Sequence, residues 1–239
     1  MKGVLLQRPL TKHEFWGGLA YLILHVFLLP FALGLVAGLL TMNGHRVTNI
    51  ALNAVYAFIG FAAVFLIFRK FLKAQFEHFV HWLPVNLIIV IRNFLIYYVL
   101  YMLLSFIIVN LPGVSLTNPN NDAIVSMTRD YFYPSIAITV LLVPFVEECL
   151  FRGVLFLGIG AKFRILGYVA STLLFAFSHV FQSMLANFRP ELFLTMLLYI
   201  PAGLVLGRTC EKSGTIWCSI LLHMVINLTS LLSYYLTSP

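Results

Sequence analysis

Eight acidic residues occur in the 239-residue chain, and only Glu147 and Glu148 fall deep inside an apolar stretch, Val140-Leu-Leu-Val-Pro-Phe-Val-Glu-Glu-Cys-Leu-Phe-Arg152. An acid at the centre of a membrane-spanning helix costs about 2.5–3.5 kcal/mol on insertion scales, so a consecutive pair requires a compensating use. On a helix, neighbours point about 100° apart and the two carboxylates cannot address one partner alike. Glu148 and Arg152 stand at i and i+4 with the acid N-terminal, the favoured order for an ion pair. Glu147 is left without an intrahelical partner. A carboxylate held in apolar surroundings is suited to act as a general base.

Histidines supply the complementary groups. Sorting the seven by position leaves His25, His179 and His223 inside apolar segments. Phe175-Ala-Phe-Ser-His179 sets an aromatic ring and an imidazole one helical turn apart, and His223-Met-Val-Ile-Asn227 does the same with an imidazole and an amide. If three helices bring Glu147, His179, His223 and Asn227 together, the set holds a base, a second proton carrier and donors for a developing oxyanion.

The surroundings of these residues read as membrane. Hydrophobic residues make up 61% of the chain and charged residues 10%, against about 25% charged in soluble proteins. Segments long enough to span fall at about 17–40, 48–68, 93–111, 133–160, 165–181, 191–207 and 215–236. They predict an all-α polytopic transmembrane helix bundle of about seven to eight helices. Residues 71–92 form either an interfacial segment leading to a span near Asn93 or part of a longer span that buries Arg92. The polar stretch at about 112–132 reads as an external connector or a substrate gate.

Placing the N-terminus in the cytoplasm puts Lys2, Arg8, Lys12, Arg69, Lys70, Lys73, Lys162, Arg164, Arg208 and Lys212 inside, against Arg46, Arg129 and Arg189 outside. The net charge of +7 then follows from topology and anionic lipid, with no role for nucleic acid. The first apolar run is too long for a cleaved signal peptide. Cys149, Cys210 and Cys218 have no metal or redox spacing and read as small core residues. Asn227-Leu-Thr229 fits a glycosylation pattern inside a span, where it is inaccessible. His25 reads as helix-packing histidine, Phe175 as core beneath His179, and Arg92 as snorkelling. Counted along their helices, Glu147 and His223 fall near mid-membrane and His179 nearer the outer side, a mismatch that tilt or a kink at Pro144 would remove.

Glu-Glu-x-x-x-Arg at 147–152, Phe-x-x-x-His at 175–179 and His-x-x-x-Asn at 223–227 together resemble the motifs of the CPBP family (CAAX protease and bacteriocin-processing, also Abi) of intramembrane proteases. The resemblance covers about 133–236, leaving 1–132 as transmembrane helices and an external loop without a recognised motif. It implies an endopeptidase in which Glu147 and His179 activate a water while His223 and Asn227 stabilise the oxyanion. Glu148, Arg152 and Phe175 would support the site. No cofactor is fixed by these residues: Glu147, His179 and His223 are candidate ligands for a divalent metal such as zinc, while Asn227 favours a metal-free glutamate mechanism. The implied partners are the lipid bilayer and a peptide or membrane-protein substrate. The compact single-domain build fits a bacterial cell membrane, with leader peptides, pheromone precursors or short membrane proteins as substrates rather than prenylated ones. The same intramembrane Glu, His and Arg also fit a transporter or proton relay, or a non-proteolytic immunity or scaffold protein.

Overall fold

The computed structural model describes residues 8–112 and 118–237, which form eight helices and no strand. Lys2 and residues 113–117 of the connector lie outside the described residues. Helix α1, Lys12–Met42, starts at a capping box in which Thr11 Oγ1 accepts from the Glu14 amide and the Glu14 carboxylate accepts from the Thr11 amide. A π-helical stretch, Leu24–Leu28, precedes Pro30, whose ring and missing N–H disrupt regular helical bonding to the preceding turn. Helix α2, Asn49–His81, is capped by Thr48. Its 33 residues extend about 50 Å, well beyond a ~30 Å hydrocarbon core.

Helix α3, Leu83–Val109, begins only two residues later. In the region 71–92, α2 runs on to His81 and the next helix starts at Leu83, so the span does not begin near Asn93 but is the longer one of the two alternatives and includes Arg92. That side chain is exposed on the bundle flank rather than buried. The polar connector is also partly helical, with α4 spanning Pro119–Asp130 behind an Asn118 cap and a proline suited to a first turn.

Helix α5 covers residues 132–159 and holds the glutamate pair. π-Helical stretches, Ala137–Leu142 and Glu148–Ile159, flank its short α-helical middle. Pro144 withholds the N–H that would bond the carbonyl of Val140, inside the first of these stretches. Then follow α6, Arg164–Ala186; α7, Glu191–Ser213, interrupted at residues 198–199; and α8, Ile216–Thr237.

Six of these helices are long and apolar enough to cross a membrane: α1, α2, α3, α6, α7 and the Ile216–Ser233 part of α8. The remaining expected span is α5, which has the length but carries Glu147, Glu148 and Arg152 and lies largely inside the bundle. The chain is an integral membrane protein. Its flanks expose Phe31, Leu35, Phe58, Leu66, Ile88 and Phe106, an apolar exterior suited to lipid. The interior packs Phe68, Phe71, Phe151, Phe156 and Phe175 around a fully buried Arg152. Cys149, Cys210 and Cys218 are buried free thiols within that core.

Two devices fix how the helices meet. The α7–α8 turn uses Gly214 at φ 69°, the left-handed helix-ending conformation that glycine adopts without a Cβ clash. That turn docks on α2: Thr215 Oγ1 donates to the Gln75 carbonyl at 2.9 Å, and the Trp217 indole donates to the Leu72 carbonyl at 3.0 Å. Between α6 and α7, Gly203 approaches so closely that an added Cβ would lie 2.6 Å from Thr172. Asn93 of α3 donates to Thr209 of α7 at 2.9 Å in the buried interior.

Candidate active site

Glu148 is the electrostatic centre of the site. Its side chain is fully buried, and Arg152 Nη1 donates to Oε1 at 2.8 Å along the helix. The other guanidinium end donates to the Gly203 carbonyl at 3.3 Å, so the close α6–α7 approach also delivers a partner to the buried cation. The guanidinium lies 4.4 Å from the centre of the Phe175 ring, within cation–π range. The i, i+4 pair expected from the sequence is present, but Glu148 does more than neutralise Arg152. Ser219 donates to its Oε2, and His223 Nδ1 lies 2.9 Å from Oε1. The carboxylate thus clamps α8 to α5 and sets the rotation of the His223 ring.

With Nδ1 turned to Glu148, His223 presents Nε2 to Glu147, 3.8 Å from Oε2. Glu147 is the opposite of its neighbour. Its side chain is 17% exposed, yet Oε2 itself is buried and makes no hydrogen bond. Such an orphaned buried carboxylate oxygen calls for an explanation, because desolvation without a partner costs free energy. Glu147 also interacts electrostatically with Tyr56 and His179.

His179 reaches the same place from α6. Its Nδ1 lies 2.8 Å from the Phe175 carbonyl, an acceptor only, which makes Nδ1–H the donor and leaves Nε2 available. Phe175 contacts both imidazoles, with ring centres 4.6 Å from His179 and 5.6 Å from His223. One aromatic ring therefore brings both histidines to the same level, and the depth mismatch counted along the helices disappears. Asn227 Nδ2 donates to the Thr139 carbonyl at 2.8 Å, tying α8 to the π-helical part of α5. A primary amide has a second N–H, so this contact does not exhaust it.

Glu147, His179, His223 and Asn227 all line one cavity of about 520 Å³, within the ~300–1,000 Å³ usual for ligand sites. Several lining residues carried no sequence signal. Tyr199, beside the break in α7, stacks on His179 with ring centres 4.2 Å apart. Its hydroxyl donates to Asn118 Oδ1 at 3.1 Å and accepts from Asn120 at 3.3 Å, which links α4 to the histidine. His25, expected as packing, stacks on Tyr56 at 4.3 Å and lines the cavity with it. Gly60 makes this possible, since a Cβ there would lie 3.0 Å from the His25 ring and 3.1 Å from Val146.

The candidate metal ligands do not combine into a metal site. Glu147 Oε2, His223 Nε2 and His179 Nε2 are available donor atoms, and a catalytic zinc takes three protein ligands about one point. Among the described residues, no group of three His, Cys, Asp or Glu side chains is arranged to hold an ion.

Residues 129–229 match the family described as type II CAAX prenyl endopeptidase Rce1-like, and this segment is a domain of the CPBP family. The matched stretch contains Glu147, Glu148, Arg152, Phe175, His179, His223 and Asn227, and it supports a CAAX-protease-like fold for the helices that carry them. No curated protein and no solved structure matches the chain.

Proposed function

We propose that this chain, whose residues 129–229 match that family, is an intramembrane endopeptidase in which Glu147 activates a water molecule for attack on a peptide carbonyl. The observation that carries the reading is the contrast between the two glutamates. Glu148 is saturated by Arg152, Ser219 and His223, whereas Glu147 Oε2 is buried, unbonded and 3.8 Å from His223 Nε2 at the cavity wall.

In this mechanism Glu147 removes a proton from water as the water oxygen attacks the carbonyl carbon. His179 Nε2, available because Nδ1 is fixed on the Phe175 carbonyl, serves as the second acceptor that orients the water. A tetrahedral oxyanion forms. His223 donates from Nδ1 to Glu148 and, in its doubly protonated form, also from Nε2 to that oxygen, and the second N–H of Asn227 supports it. Collapse of the intermediate breaks the C–N bond as Glu147 passes its proton to the leaving amine, yielding a free carboxylate and an amine. Glu148 and Arg152 stay in one charge state and position His223, much as a carboxylate orients an imidazole in other hydrolytic sites.

The test is cleavage of candidate membrane peptides by purified protein in proteoliposomes, with products identified by mass. Wild type should release two fragments, and Glu147→Ala or His179→Ala should release neither while keeping the wild-type melting profile. Equal cleavage by wild type and Glu147→Ala would sink the assignment.

A further inference from the structure

The fold gives the cavity a sidedness. Following the chain, the helix ends sort onto two faces of the bundle. One face gathers the start of α1, the end of α2, the α5–α6 connection and the α7–α8 turn, the last docked on α2 through Thr215 and Trp217. There lie Arg8, Lys12, Arg69, Lys70, Lys73, Lys162, Arg164, Arg208 and Lys212. The opposite face gathers the α1–α2 loop, α4, the α6–α7 connection and the end of α8, with only Arg46, Arg129 and Arg189. Three acids sit at each face, so the difference lies in the cations.

Much of the lining comes from helix ends at the cation-poor face, while His25, Glu147, Phe151 and His223 line the cavity from nearer mid-helix. Asn49 and Asn53 come from the start of α2, and Gln182 and Ser183 from the end of α6. Tyr199 comes from the first half of α7, and Ser230 from the last turns of α8. Helix α4, too short to span, lies at this mouth and is held there by the Tyr199 contacts with Asn118 and Asn120. Phe151 and Phe175, in contact with each other, also line the cavity, whereas the Glu148–Arg152 pair is fully buried outside its lining.

Lysine and arginine in short loops are retained on the cytoplasmic side of a membrane. We infer that the catalytic chamber opens to the extracytoplasmic side and takes polypeptide segments already exposed there. This inference rests on the endopeptidase reading for the nature of the occupant and on the fold for the side. The lining agrees with a peptide rather than a phosphate or lipid headgroup. Among the described residues, no lysine or arginine lines the chamber. Its mouth is instead built of amides and hydroxyls, such as Asn49, Asn53, Gln182 and Ser230, each able to donate and accept along an extended backbone. The substrate must then be supplied by a translocation reaction that carries a peptide, or the juxtamembrane part of a membrane protein, across the bilayer before cleavage.

Single cysteines at the exposed chamber positions Asn49 and Gln182, and at exposed Lys162 on the cation-rich face, test the side directly. They are introduced into full-length protein whose native cysteines are buried, and probed with a membrane-impermeant maleimide on intact cells. Asn49→Cys and Gln182→Cys should label on intact cells at least tenfold more than Lys162→Cys, which should label only after permeabilisation. A C-terminal tag should be accessible with the first pair. Chamber cysteines that label only after permeabilisation, or a tag hidden on intact cells, would overturn the inference. Labelling needs no catalysis, so inactive protein with chamber cysteines labelled from outside would refute the endopeptidase reading and leave the sidedness intact. For active protein, substrate peptide added outside right-side-out vesicles should be cleaved at least tenfold faster than peptide added outside inverted ones, and the reverse ratio would refute the proposal.

Discussion

Replacing Arg152 with methionine removes the cation that neutralises Glu148 while keeping much of the side-chain volume. Both groups are completely buried and 2.8 Å apart, so the substitution leaves an ionised carboxylate in the core with only Ser219 and His223 as partners. Breaking one side of a buried pair costs about 3–5 kcal/mol. That is a large share of the ~5–15 kcal/mol by which proteins are usually stable. Glu148→Gln should cost a similar amount for the opposite reason, since it strands the guanidinium between Gly203 and the Phe175 ring. Combining Glu148→Gln with Arg152→Met removes both charges, and the double variant should lose at least ~2 kcal/mol less than the sum of the single losses. Reversible unfolding in detergent, followed for all four proteins of the cycle, measures the coupling. Peptide cleavage supplies a second readout: any variant at position 148 should lose about 10- to 100-fold in rate even where folded, because His223 is no longer oriented. Strict additivity of the two stability losses would refute the view that Glu148 and Arg152 form one electrostatic unit.

Three other perturbations probe separate parts of the site. Ser219→Ala removes a hydroxyl that donates to buried Glu148 and should destabilise by about 1.5–3 kcal/mol, read as a lowered melting temperature with cleavage retained in the folded fraction. Gly203→Ala forces a Cβ to within 2.6 Å of Thr172, an overpacking that costs about 1–3 kcal/mol; an unchanged unfolding midpoint would show that α6 and α7 are not tightly apposed. Tyr199→Phe keeps the ring stacked on His179 but loses the hydroxyl contacts to Asn118 and Asn120. It should cost about 1 kcal/mol, increase amide hydrogen exchange in α4 and change cleavage by less than about threefold, whereas Tyr199→Ala should also slow cleavage.

What the sequence reveals of this site is largely what lies within one helical turn. The Glu148–Arg152 pair, the Phe175–His179 register and the His223–Asn227 register are i, i+4 relations, and helix geometry alone predicts them. The contacts that cross between helices are different. Glu148 meets His223 75 positions later, and Tyr199 meets Asn118 81 positions earlier; no local pattern encodes either. Nor does hydropathy say where a polar helix will lie: the connector reads as a polar loop, and α4 within it is placed by the contacts of Asn118 and Asn120 with Tyr199. The full length of α2 is hidden from hydropathy for a related reason. Arg69, Lys70 and Lys73 stop an apolar run, but a helix can continue past the membrane when its far end has partners, here the Gln75 and His78 contacts with the α7–α8 turn. His25 illustrates the converse case: judged alone it is packing, and only the approach of Gly60 and Tyr56 puts it on the cavity wall.

The proposed mechanism makes Glu147, and not its neighbour Glu148, the base. Glu147→Gln preserves size and removes only the capacity to take a proton, and the position has no buried hydrogen bond at Oε2 to lose. Single-turnover cleavage of a reconstituted peptide by wild type and Glu147→Gln, with the melting temperature of each recorded in parallel, is the most direct measurement. A rate reduced at least ~10²-fold, with a melting temperature equal to or above that of wild type, is the predicted result; a rate within a few-fold of wild type would contradict it.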